Sequence, residues 1–148
     1  MKRLLITACA IVFLTAPLLA QTPKPKVVTA AQVNGTWRSY DDYFYILAVG
    51  HNKLKVEFEG VYHTMAKSVN TGETFGEATI EGNVAILIPE EFPKCKITMT
   101  FLPGKLVVKQ EDEDGCGFGF NVRADGTYKR IKAGKPKRLT SPQVELSK

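Results

Sequence analysis

At 148 residues the chain has the length of a single domain, able to bury roughly two thirds of the surface its unfolded form exposes around one core. Its formal net charge of +5 is unevenly placed. Seven cations and one anion lie from Gly126 onward, and without them the body is mildly acidic, so composition gives no reason to expect a nucleic-acid partner.

Taken in chain order, Lys2 and Arg3 precede an apolar run from Leu4 to Ala16, then Pro17-Leu18-Leu19-Ala20 and a polar change at Gln21. This three-part pattern predicts a secretory signal over 1–20, cut after Ala20. The run is short for a membrane span and no second apolar segment follows, so no membrane span is expected. Removal of Lys2 and Arg3 leaves 18 cations against 15 anions. It also removes Cys9, and Cys95 and Cys116 then meet an oxidising compartment, where a pair is most simply a disulfide. Periplasmic or secreted localisation follows. Residues 21–33, with Pro23 and Pro25, read as an extended spacer, 34–132 as the folded domain and 133–148 as a basic flexible tail.

From Gly35 the pattern becomes short β runs between turn residues. In Lys53–Glu59 charges alternate with Leu54, Val56 and Phe58, and the runs beginning at Cys95 and Cys116 repeat the alternation. Gly50-His51-Asn52, Gly82-Asn83 and Pro103-Gly104 have the spacing of hairpin turns. With Thr36–Tyr40 and Thr127–Ile131 this makes eight or nine strands. An all-β fold follows, a single antiparallel up-and-down barrel or strongly curled sheet of about 8 strands, since closure removes exposed edges. Short turns are expected within 30–34, 65–71 and 90–92. In a plain meander Cys95 and Cys116 would stand roughly 10 Å apart across a middle strand, and a disulfide needs Cα atoms within about 7 Å. The acidic loop 111–115 must therefore let Cys116 curl over that strand and close one mouth.

Gly35-Thr36-Trp37 resembles the opening Gly-x-Trp of lipocalins, fatty-acid-binding proteins and avidins. That resemblance implies a Trp closing one end of the barrel against a late-strand cation, with Arg130 the first candidate and Arg123 the second. A second resemblance covers about the last 60 residues of the folded part. Gly76-Glu77-Ala78, Cys95 before Lys-Ile-Thr-Met-Thr-Phe, Cys116-Gly117-Phe118-Gly119-Phe120-Asn121-Val122 and Gly126-Thr127-Tyr128 look like a small secreted bacterial β-barrel domain sometimes associated with lysozyme-inhibitor domains. It implies a periplasmic or surface protein with an inhibitory role and carries over no binding residues.

Read physically, Phe118, Phe120 and Val122 would share a core face, and Gly117 and Gly119 would mark tight bending or the close approach of another backbone. The acidic run 110–115 fails as a calcium loop, because Arg123 stands where a bidentate Glu is required. No metal or cofactor is expected. His51 and His63 have no nucleophile motif or metal-ligand spacing around them, and Glu57 and Glu59 read as solvated charges instead of a catalytic pair, so no enzyme is expected. The leading expectation is an exported binding protein contacting a protein partner, an inhibitor of a lytic enzyme such as lysozyme, through Tyr40, Asp41, Asp42, Asp112 and Asp114. Two alternatives stand beside it. One is a carrier of a small apolar ligand in a cavity lined by Trp37, Phe58, Met99, Phe120 and Arg130, and the other is a structural envelope component held through its basic tail.

Overall fold

A computed structural model describes residues 27–112 and 115–139. The predicted signal, the first part of the spacer, the end of the tail and Asp114 lie outside the described residues. The fold is a closed barrel of eight antiparallel strands, each hydrogen-bonded to the next and the last to the first. A short helix α1 (Ala30–Val33) precedes β1 (Gly35–Ser39), β2 (Asp42–Gly50), β3 (Lys53–His63), β4 (Val69–Glu81), β5 (Val84–Leu87), β6 (Lys96–Leu102), β7 (Lys105–Glu111) and β8 (Gly126–Ala133). Among the described residues no helix is long and apolar enough to cross a membrane.

Alternation sends one set of side chains inward. Phe44 and Ile46 on β2, Leu54, Val56 and Phe58 on β3, Ile97 and Met99 on β6, Leu106 on β7 and Tyr128 on β8 are all excluded from solvent. Eight strands enclose an interior that side chains can fill, and here aromatic rings fill it. Phe44 lies 4.8 Å from Phe58 and 4.9 Å, edge to face, from Tyr128. The β2–β3 turn uses His51 and Asn52 at φ +49° and +56°, the paired left-handed conformations of a tight hairpin matched to strand twist.

Two strand predictions need correction. β4 begins at Val69, well before the expected run at 78–80 and within a stretch expected to hold a turn. Its inward positions are Gly72, Thr74, Gly76 and Ala78, too small to register as an apolar alternation. They are small because their neighbours need the space. A Cβ on Gly76 would stand 2.8 Å from Leu87, and one on Gly72 2.8 Å from both Phe118 and Val122.

The second correction is larger: 116–122 is not a strand. Gly117 and Asn121 take φ +66° and +65°, which breaks the extended run. The segment 115–125 instead folds across the end of the barrel as a plug. Val122 is buried, Phe118 packs 5.2 Å from Phe58, and Phe120, expected inside, is 79% exposed. The two glycines have different causes. Gly117 turns with its α-carbon against Phe92, whereas Gly119 meets another backbone, its N–H donating to the Thr71 carbonyl at 3.0 Å.

Cys95 and Cys116 are bonded, with Cα atoms 4.5 Å apart. The plug makes this reachable, since Cys116 curls over the end of β7. Gln110 Oε1 accepts from the Ala124 N–H at 2.9 Å and the Tyr128 hydroxyl donates to the Ala124 carbonyl at 3.0 Å, tying the far end of the plug to β7 and β8. Asn70 Nδ2 donates to the Phe120 carbonyl at 2.8 Å.

Gly60 and Gly72 face each other across β3 and β4 and together form the seat of Phe118 and Val122. Gly72→Ala should therefore push the plug outward and cost about 1–3 kcal/mol by overpacking, read as a lowered urea midpoint. Reduction of the disulfide should lower the same midpoint by the equivalent of roughly 3 kcal/mol.

Candidate functional site

The two mouths of the barrel are closed differently. At one, α1 lies across the opening. Val33 is buried, the Trp37 indole N–H donates to its carbonyl at 3.1 Å, and Asn34 Oδ1 accepts from the Ala48 N–H at 2.6 Å. Arg130, paired with Trp37 in the β1–β8 register, lies 5.5 Å over the indole and donates to the carbonyls of Ala31 and Gln32. A cation here satisfies helix-end carbonyls that have no partner within the helix. Arg123 is instead paired with Asp125 at 2.9 Å, so Arg130 is the residue that reaches Trp37. A shallow pocket of about 130 Å³ opens beside α1, lined in part by Val28, Gln32, Phe101 and Arg130.

The residues proposed to line a ligand cavity are thereby separated. Trp37 and Arg130 sit at the α1 mouth, Phe58 and Met99 are packed in the core, and Phe120 projects into solvent at the opposite mouth.

The proposed protein-binding residues converge. The β1–β2 turn carrying Tyr40, Asp41 and Asp42, the β3–β4 connection, the β5–β6 connection and the plug all lie at the plugged mouth. Tyr40 is 91% exposed with its backbone at φ +52°, an unusual conformation for a bulky residue, and Arg38 Nε donates to its carbonyl. Asp41 is exposed and joins Arg38 at 3.6 Å to His63 at 3.2 Å. Asp112, also exposed, ends β7 at φ +64°. Asp42 departs from its expected role. It is half-buried and its Oδ1 accepts from the Val61 N–H at 2.8 Å, so it pins β3 instead of facing a partner. Burial raises its pKa, the Val61 bond opposes this, and neighbouring Asp41 adds to the rise.

No protein-family model, curated protein or solved structure matches the chain. Its chemistry must be read from its own side chains. Among the described residues no group of three His, Cys, Asp or Glu side chains is placed to hold a metal ion.

A second cluster lies on the outer wall. Register sets Tyr43 opposite Glu59 and Tyr45 opposite Glu57, and on the other side Glu73 opposite Glu59 and Phe75 opposite Glu57. Glu57, expected to be solvated, is 3% exposed. It is covered by the segment after β8, where Pro136 is buried and Arg138 returns to the barrel. The Arg138 guanidinium lies 3.4 Å from Glu57 through Nε, pairs with Glu59 through Nη1, and stands 5.8 Å over the Tyr45 ring. The Tyr45 hydroxyl donates to Glu59 at 3.2 Å. Burial, then the charge and hydrogen bond of Glu59, push the Tyr45 hydroxyl up to about 12.

The hairpin register already implied the Tyr and Glu pairs. Arg138 could not be read from sequence, because a contact across some 80 residues leaves no local pattern.

Burial raises the Glu57 carboxyl above its ordinary 4.5, Arg138 opposes this, and Glu59 and Glu73 add to it. A carboxyl with a raised native pKa binds more protons folded than unfolded, so its contribution to stability falls as pH rises from the ordinary value through the raised one. Glu57→Gln removes that titration. Denaturant midpoints of variant and wild type should therefore shift relative to each other in the variant's favour between pH 4 and pH 7.

Proposed function

We propose that this chain is an exported, non-enzymatic binding protein that recognises a basic protein through its plugged mouth, in the manner of an inhibitor of a cell-wall lytic enzyme such as lysozyme. The carrying observation is the asymmetry of the two mouths. Among the described residues, the connections 39–42, 63–69, 88–95 and 111–125 hold seven carboxylates against three cations. At the other mouth, the connections 50–53, 81–84 and 102–105 and the segment 133–137 hold Glu81 against four cations.

Apolar groups accompany the negative charge. Tyr40 at 91%, Met65 at 104% and Phe120 at 79% exposure stand on three different connections of the plugged mouth. Exposed aromatics and Met within a charged rim are the composition of a recognition surface, the rings supplying contact area and the charges supplying steering and register. Tyr40 held at positive φ with its ring in water is a local conformational cost that a binding role would explain. The disulfide suits an oxidising compartment, which supports export.

A carrier of a small apolar ligand is less well supported. Phe58 and Met99 have no solvent exposure, and the pocket beside α1 at about 130 Å³ is smaller than the roughly 300 Å³ at which ligand sites begin.

The test is binding of the oxidised protein to lysozyme at low and physiological salt. Tyr40→Ala with Phe120→Ala should weaken binding by about tenfold or more, mostly through faster dissociation. Asp41→Asn with Asp112→Asn should slow association and flatten its salt dependence. Absence of binding at either salt would sink the lysozyme reading.

A further inference from the structure

The outer-wall cluster is separate from the mouth and has the chemistry of a site. Its carboxylates alone would say little, since acidic patches are ordinarily solvated. Glu57, however, is 3% exposed, and its Oε2 is buried without a hydrogen-bond partner. An unpartnered carboxylate oxygen in such a place is costly unless a donor reaches it. Around it stand the Tyr45 ring and the Glu59 carboxylate, and Tyr43 stacks on Tyr45 with centroids 6.2 Å apart and planes 11° from parallel. Arg38 lies 5.4 Å over Tyr43, continuing the line of rings toward Asp41 and the plugged mouth.

Two carboxylates beside an aromatic face select a guanidinium over other cations. Arginine offers five donors in a planar fork and stacks on rings, whereas an ammonium is a compact, strongly hydrated point charge. Arg138 demonstrates the fit by bridging Glu57 and Glu59 over Tyr45, yet it leaves Glu57 Oε2 unsatisfied. It also arrives on a strand-free segment beyond β8.

We propose that the outer face of β2 and β3 at Tyr45, Glu57 and Glu59 is an arginine-recognition site that the chain occupies with its own Arg138, and that an arginine of a basic partner binds there by displacing the 134–139 segment. The choice of a protein partner rests on the reading of the plugged mouth, whereas the site itself does not. Because Arg138 competes from within the chain, the apparent affinity for an external arginine is lowered by the fraction of molecules in which the segment is open.

The experiment titrates the full oxidised chain with N-acetyl-argininamide, and separately with N-acetyl-lysinamide, following backbone amide resonances of β2 and β3. Arg138→Ala should bind the arginine compound at least tenfold more tightly than wild type does. The lysine compound should bind clearly more weakly than the arginine one, and Glu57→Gln in the Arg138→Ala background should abolish the gain. Equal affinity of wild type and Arg138→Ala, or equal binding of the two compounds, overturns the proposal. Should Arg138→Ala fail to fold, Arg138→Lys, which keeps the charge but loses the fork, must still tighten arginine binding several-fold or the proposal fails. Arginine binding as described together with no response to lysozyme would remove the mouth reading and leave this site standing.

Discussion

A cylinder of eight strands satisfies its backbone hydrogen bonds all round but leaves two open ends where an aromatic core would meet water, and closing those ends governs much else in this molecule. At the α1 end the closure is one helical turn held by Trp37 and Arg130. At the other end it is eleven residues of irregular chain, 115–125, which have no ladder to hold them. Their backbone groups must be satisfied one at a time. Thr71, Gln110, Asn70 and Tyr128 do this, and the disulfide holds the start of the plug to the base of β6.

That method of closure accounts for the small residues of β3 and β4. Phe118 and Val122 can enter the barrel end only because Gly60 and Gly72 leave space for them. It also accounts for the surface of the mouth. A segment that turns Phe118 and Val122 inward through left-handed Gly117 and Asn121 sends Phe120 outward, at the same mouth as Asp112. The exposed ring and the negative charge are thus consequences of one fold of the chain.

The outer wall shows a different economy. Tyr43, Tyr45, Glu57 and Glu59 lie on the solvent face of a hairpin, where ion pairs contribute little because water screens them. Covering by the segment after β8 changes their surroundings. Once Glu57 is buried, its charge needs a partner, and the guanidinium of Arg138 meets part of that need. The tail was expected to be a solvated basic extension from 133. In its described part β8 runs to Ala133, Pro136 is buried and Arg138 is held on the barrel.

Sequence by itself determined the strands whose inward residues are large and apolar, the hairpins closed by Gly, Asn and Pro turns, and hence an antiparallel barrel or strongly curled sheet, between which the pairing of β1 with β8 decides. Alternation and turn chemistry are local, and Leu54, Val56 and Phe58 declare their face without reference to anything distant. The need for Cys116 to leave the meander was also legible, because strand spacing forbids the bond otherwise. Only the tertiary structure decided what depends on space between remote residues. The small inward side chains of β4 make sense only beneath Phe118 and Leu87, and the apparent alternation of Phe118, Phe120 and Val122 dissolves once Gly117 and Asn121 turn left-handed. In the candidate sites, Tyr40, Asp41 and Asp112 could be named from residue type, but their meeting at one mouth follows from strand order. The burial of Asp42 and Glu57 is not legible in the sequence for one reason: burial of a carboxylate is set by what packs over it, and the Val61 N–H and the Arg138 guanidinium come from chain segments that no local pattern connects to them.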